Sequence, residues 1–208
     1  MTSEKKFKIL EKEEVFRDSF FHIENVSLSV NKFDGGQIKM SRYAMERPRV
    51  VAILLRHIRR DSFILVEQFR YSTAEFCDGF PREIVAGIVE SKDPDPYSTA
   101  LRECLEETGY APRKLDHVFD FMPSLGISNQ LVHLYYGEVD DSMRIEKGGG
   151  LIEEEEDIRV VEEAISTTHG KCRRGEVLDA KSLIAFQWYF MERSGKGSGN
   201  TYQKTTNL

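Results

Sequence analysis

The 208-residue chain lacks any apolar run approaching the roughly 20 residues that cross a bilayer, so no membrane span is expected. It has little cysteine. Cys77, Cys104 and Cys172 are an odd number and form no CxxC pair. That argues against a disulfide framework or a zinc site, and it fits a reducing cytoplasm. Positive charge is not in excess either. The formal net charge is -6, so a duplex nucleic acid partner is not expected, because phosphate binding needs a basic surface. A small anionic substrate stays open, since a bound cation supplies the missing charge. The opening MTSEKKFKIL has no apolar stretch long enough for a signal peptide, and no internal repeat is visible. Hydrophobic residues make up 40% of the chain. That is enough for a real core, and at this length one soluble domain with a small appendage is expected.

Two-residue alternation over residues 7–9 and 20–30 predicts strands, with Ile23, Val26, Leu28 and Val30 on the apolar side. Asp34-Gly35-Gly36 is a hairpin turn, and residues 37–45 return from it. A sheet this small is marginal alone in water, so it is expected to pack on the main body or on a second subunit. Residues 50–55, VVAILL, are apolar throughout, as in a strand buried on both faces. Residues 63–69 return from it, 74–81 are a loop, and 82–86 are a short strand. Residues 114–122 and 131–139 are two further strands. Gly148-Gly149-Gly150 and the run 153–157 predict a flexible acidic loop, followed by a strand at 158–161 and a helix at 162–168. His169, Lys171, Cys172, Arg173 and Arg174 read as a helix end with basic residues matched to the dipole. Asp179 is the expected N-cap of a final helix, 180–192. Together these predict an α/β fold: an α/β/α sandwich on a mixed sheet with an N-terminal antiparallel β subdomain. The expected division is residues 1–46, then a catalytic domain over 47–193, then a polar, glycine-rich disordered tail at 194–208.

The chain is organised around residues 87–110. A loop opening on Gly87 passes Pro94 and Pro96 into an acidic helix that stops at Gly109. Glu103 and Glu107 stand four residues apart and so share one helix face. Two carboxylates held that close repel each other, and a divalent cation relieves the repulsion. Mg²⁺ is typically held by one or two carboxylates together with substrate phosphates and waters. Arg102 and Glu106 are also four apart, on an adjacent face, a spacing at which they can form an ion pair. The competing reading is a solvated, salt-bridged helix. Against it stand the glycine punctuation and the apolar side of Leu101, Cys104 and Leu105, which anchors the acidic face.

Gly87 and the run Arg102-Glu103-Cys104-Leu105-Glu106-Glu107-Thr108-Gly109-Tyr110 resemble the Nudix box, the signature of hydrolases that act on a nucleoside diphosphate linked to another group. The second half matches fully. In the first half the spacing from Gly87 to Arg102 is one residue longer than usual, and Asp93 stands where a glutamate is expected. The resemblance spans residues 8–193. It is greatest to the branch of ADP-ribose pyrophosphatases and nucleotide-sugar hydrolases such as GDP-mannose hydrolases. Phe20-Phe21, Glu67-Gln68-Phe69-Arg70, Pro123-Ser124-Leu125-Gly126, Gly148-Gly149-Gly150-Leu151 and Asp179-Ala180-Lys181 carry it.

The resemblance implies a site. Glu103, Glu107 and the backbone carbonyl of Ala86 would hold Mg²⁺ or Mn²⁺, with Glu106 and Arg102 assisting. A metal-activated water would attack one phosphorus of the diphosphate. The general base would be Glu154, with Glu153 and Glu155 as competitors. Gln130 replaces a common glutamate and removes any charged role there. Arg42 and Arg70 would clamp diphosphate or ribose through bidentate guanidinium contacts. Glu83 would accept from a ribose or position Arg70. Phe20 or Phe21 would stack on the base across a homodimer built through the N-terminal sheets, and Gly126 belongs to the substrate-binding set. The expected reaction splits ADP-ribose or a related nucleoside diphosphate sugar into a nucleoside monophosphate and a sugar phosphate. The alternatives are GDP-mannose or UDP-glucose as substrate, or a catalytically silent nucleotide sensor.

Overall fold

The structure is a computed structural model and describes residues 6–194. It falls into two compact units, one drawn from Met1–Val50 and Asp120–Val132, the other from Val51–Phe119 and His133–Leu208. No helix among the described residues is long and apolar enough to cross a membrane.

In the first unit β1 (Phe7–Arg17), β2 (His22–Asn31) and β3 (Gln37–Glu46) form an antiparallel sheet in the order β1-β2-β3. Every residue of β1 is exposed, including Phe7, Ile9, Leu10, Val15 and Phe16. The segment after Asp120 returns to this unit. The Met45 N–H donates to the Ile127 carbonyl at 2.8 Å, and the Val50 N–H to the Leu131 carbonyl at 3.0 Å.

The second unit is built on a sheet of β4 (Val50–His57), β5 (Ser62–Glu67), β6 (Arg82–Glu83), β7 (Val85–Ile88), β8 (Leu115–Phe121), β9 (Val132–Val139) and β10 (Arg159–Ala164). The main path runs β10-β5-β4-β9-β8, with β6 paired to β5 and β7 to β4. The helices are a four-residue α1 (Ala74–Cys77), α2 (Pro96–Thr108), α3 (Ile165–Arg174) and α4 (Ala180–Ser194). The alternation of side chains along β4 and β5 assigns one helix to each face. Val51, Ile53, Leu55, Ile64 and Val66 pack with Ala100 and Cys104 of α2. Phe63 points the other way and stacks on Phe186 of α4 at 5.4 Å, with Tyr189 edge-on at 5.0 Å. The apolar run of β4 is therefore covered on both sides, which is the sandwich the sequence predicts.

Three local differences have physical causes. The strand expected over residues 82–86 is broken at Ile84, because its partner changes there from β5 to β4. The helix expected from residue 162 begins at Ile165. Glu162, Glu163 and Ala164 extend β10 instead, paired with Ile64, Phe63 and Ser62. Glu163 is buried there and accepts from Arg82 at 2.6 Å and from the Thr168 hydroxyl at 2.9 Å. The triglycine segment is pinned rather than flexible. Gly148, Gly149 and Gly150 all have positive φ. That path lets the Gly149 N–H reach the Glu107 carbonyl at 2.9 Å and the Gly150 N–H reach the Glu106 carbonyl at 3.0 Å. These donors satisfy the open carbonyls at the end of α2. The tail expected from residue 194 lies outside the described residues, apart from Ser194, which ends α4.

His57, at the end of β4, is fully buried. Neither ring nitrogen has a hydrogen-bond partner among the described residues, and the Asp141 carboxylate lies 3.5 Å away. Burial pushes its pKa down, reinforced by the charge of Arg60. A depressed histidine leaves stability intact above its ordinary pKa of about 6.5 and removes it as pH falls through the lower, folded value. His57→Leu is therefore expected to lose less stability than the parent between pH 7 and pH 5 in urea unfolding. An equal loss in both proteins would show that other groups carry the acid sensitivity.

Candidate active site

Three local devices place α2. The Asp95 side chain accepts from the Ser98 N–H at 2.7 Å as N-cap, and Pro96 follows as the first helical residue. Gly109 ends the helix at φ 75°, with its N–H on the Leu105 carbonyl at 2.8 Å. Asp93, the residue that departs from the signature, is the staple of the preceding loop. Its carboxylate accepts from the Thr99 hydroxyl at 2.9 Å, the Glu90 N–H at 3.1 Å and Arg102 Nη2 at 3.2 Å. The Arg102 guanidinium holds Asp93 below the usual carboxylate range. The shorter acid thus still ties loop to helix.

Ala100 and Cys104 are completely buried, and they carry Glu103 and Glu107 inward with them. Glu107 is 1% exposed, and its Oε2 accepts from the Ala86 N–H of β7 at 3.3 Å. Glu103 is 8% exposed and sits 2.9 Å from Arg102 Nη1. The same nitrogen donates to Glu106 at 2.7 Å. Burial pushes Glu103 up to about 7 against the opposing charge of Arg102, with Glu106 and Glu156 pushing the same way as burial. Burial also holds Glu107 well above the ordinary carboxylate range, reinforced by Glu103 and Glu156. The Cys104 thiol, raised by the same burial, stays protonated and is a core group rather than a nucleophile.

Among the described side chains of the glutamate run, Glu156 is the acid whose charge reaches both helix carboxylates. The pinned glycines hold it in place. Its Oε2 accepts from the Leu151 N–H at 3.1 Å, and a Cβ on Gly150 would stand 2.7 Å from that oxygen. In the sequence it is one of four consecutive glutamates, and only its place before the buried Ile158 distinguishes it. Glu154 lies on a 3₁₀ turn, Ile152–Glu154, and its side chain lies outside the described residues.

The buried carboxylates of Glu103 and Glu107, crowded by Glu156, are an unbalanced charge, and Arg102 offsets it only in part. A set of hard oxygen donors in that state fits a divalent cation such as Mg²⁺ or Mn²⁺. Gly87 leaves room for the Glu103 side chain: a Cβ there would fall 1.9 Å from Glu103 Oε1. Gly87→Ala must therefore push the Glu103 carboxylate aside. Turnover is expected to fall roughly tenfold or more, with the circular dichroism spectrum retained. Unchanged turnover would mean that Glu103 does not need its present position.

Beside these acids, Arg70 and Glu83 are paired, Nε to Oε1 at 2.9 Å, and Lys181 binds the other oxygen of Glu83. Arg70, Glu83, Asp179, Ser72 and Pro81 border a cavity of about 330 Å³. The charge of Glu83 also acts on Glu107. The other candidate substrate residues belong to the first unit. Arg42 projects from β3 with its Nη1 on the Ser41 carbonyl at 2.8 Å. Phe20 and Phe21 meet edge-on at 4.8 Å, and the Arg47 guanidinium lies over the Phe20 ring at 4.0 Å. Gly126 has open space where a Cβ would be, and the Gln130 N–H donates to the Ser128 hydroxyl at 3.1 Å.

Comparison with known proteins agrees with this geometry. The model of the NUDIX domain matches residues 45–174. GDP-mannose pyrophosphatase of Cronobacter sakazakii is 32% identical over 178 residues, covering 85% of this chain and 91% of that one. The enzyme of the same name from Salmonella arizonae is 30% identical, covering 86% and 93%. A solved structure titled "Crystal structure of ADP compounds hydrolase" shares the fold with a TM-score of 0.69 over 97% of this chain, at 20% identity. The matched region contains every element of the acidic helix and of its supporting loop, and the chain belongs to the Nudix family of hydrolases.

Proposed function

We propose that the protein hydrolyses the diphosphate bond of a nucleoside diphosphate sugar, releasing a nucleoside monophosphate and a sugar phosphate, with Mg²⁺ or Mn²⁺ as cofactor. The observation that carries this reading is the buried pair Glu103 and Glu107, both raised by burial and by the charge of Glu156. When bound, the cation neutralises charge on the diphosphate and lowers the pKa of water. The chain's own residues do the rest. Glu103, Glu107, Glu156 and the Ala86 carbonyl would hold the cation. Arg102, fixed by Asp93, keeps Glu103 and Glu106 in place. Glu154 takes the proton from the attacking water, and Arg70 orients the substrate through donors that Glu83 leaves free. Arg42, Phe20, Phe21 and Gly126 of the first unit are kept as candidate substrate-binding residues.

GDP-mannose is placed first among substrates, because relatives named for it match this chain over nine-tenths of their own length. ADP-ribose and UDP-glucose follow. The exposed apolar side chains of β1 support a homodimer formed through residues 1–46, with 47–193 as the catalytic domain, in a cytoplasmic protein. The test is a panel of nucleoside diphosphate sugars incubated with Mg²⁺ or Mn²⁺ in ¹⁸O-labelled water. Monophosphate release with label in one product identifies substrate and attacked phosphorus. Tight binding of a sugar nucleotide without release over hours would replace the hydrolase by a sensor.

A further inference from the structure

The segment Arg82–Ile88 serves two jobs at once. Glu83 holds Arg70 on one side, and Ala86 meets Glu107 on the other. Between them Ile84 lies in neither strand, because the ladder partner changes there from β5 to β4. At such a crossing a buried N–H has no strand to donate to, and leaving it unmade is costly. Ile84 is fully buried, and its N–H donates to the hydroxyl of Ser182 at 2.9 Å. Ser182 has no exposed surface and stands in the first turn of α4. Its hydroxyl donates in turn to Asp179 Oδ2 at 2.5 Å, and the same carboxylate oxygen caps the helix by accepting the Ser182 N–H at 3.0 Å.

We infer that Ser182 is a positioning residue for the reaction. It is the clamp that fixes the strand crossing at Ile84 and so sets the spacing between the Arg70–Glu83 pair and the Ala86–Glu107 contact. This rests on the proposed hydrolase reading. Its hydroxyl is both acceptor and donor here, a combination that alanine cannot supply. The hydroxyl bonds none of the helix carboxylates and does not line the cavity beside Arg70, so its effect on them runs through the backbone of residues 83–86 and through Asp179, which borders that cavity.

The test compares wild type, Ser182→Ala and Ser182→Thr in three measurements. These are thermal unfolding, Mn²⁺ affinity by electron paramagnetic resonance, and kcat and KM on the best diphosphate sugar. Loss of a group that supports metal ligands from behind typically costs 10- to 100-fold. Folded Ser182→Ala is expected to bind Mn²⁺ roughly tenfold more weakly and to lose roughly 10- to 100-fold in kcat/KM through both constants. Ser182→Thr, which keeps the hydroxyl, should return both toward wild type. A fall in unfolding temperature alone, with Mn²⁺ affinity and kcat/KM unchanged, would make Ser182 a purely structural residue and overturn the inference. Where the alanine protein does not fold, Ser182→Cys keeps the volume with a far weaker acceptor and is read against the same two outcomes. The Mn²⁺ measurement needs no turnover. A wild type that hydrolyses nothing would thus sink the hydrolase reading while leaving the clamp to be judged on affinity.

Discussion

Glu107→Gln is expected to lower metal-dependent turnover roughly 10³-fold on every diphosphate sugar the wild type accepts. A bound cation supplies several kcal/mol of charge stabilisation, and each 1.4 kcal/mol is about one decade of rate. The amide keeps the volume and can still accept from the Ala86 N–H. What it loses is the charge, and with it one of the buried acids that make the site a cation site. The same change removes a carboxyl whose ionisation the buried site disfavours. The metal-free variant should accordingly unfold at a higher temperature than metal-free wild type at pH 8. Loss of turnover with gain of stability is the pattern of a functional acid. Wild-type turnover in Glu107→Gln would remove this residue from the mechanism.

The second large effect is on stability and needs no substrate. In the metal-free protein burial raises both carboxyls, Glu103 to about 7 and Glu107 well above the ordinary carboxylate range. A raised carboxyl prefers its neutral form in the fold. Its stabilising contribution is complete below the unfolded pKa of about 4.5 and disappears as pH rises through the folded value. Metal-free protein should thus lose stability steadily from about pH 4.5 past pH 7. For Glu103 alone the rise from 4.5 to about 7 corresponds to roughly 3 kcal/mol. Mg²⁺ binds only the folded, ionised site, so adding it at pH 8 should restore the loss by mass action. Thermal unfolding across this range in chelator, then with Mg²⁺, measures both halves. A flat profile in chelator, or a midpoint at pH 8 indifferent to Mg²⁺, would contradict the buried-charge account.

The helix and its pair of carboxylates are legible because the signals are local. Asp95, Pro96 and Gly109 fix the ends of α2 through contacts within a few residues, and the four-residue spacing puts Glu103 and Glu107 on one face whatever surrounds them. The two-sided burial of β4 was equally plain, since an unbroken apolar run has no polar face to offer solvent. The role of Asp93 was not legible. Measured against the signature it is a shortened acid, and only the folded loop brings Thr99, Glu90 and Arg102 around it. Glu156 was hidden for a different reason. Four consecutive glutamates look alike in sequence, and the place of Glu156 against the Leu151 N–H depends on where the pinned glycines set the chain.

The sequence by itself determined the acidic helix, the layered α/β architecture and the family, because capping, periodicity and the Arg102–Tyr110 run are properties of neighbouring residues. Tertiary structure alone decided which acids are crowded together and how strongly their charge is frustrated. It also decided that the triglycine loop caps α2, and that the hydroxyl of Ser182 closes the strand crossing at Ile84 from 98 residues away. Those features arise from burial and from hydrogen bonds between distant segments, and no local pattern in the chain encodes either.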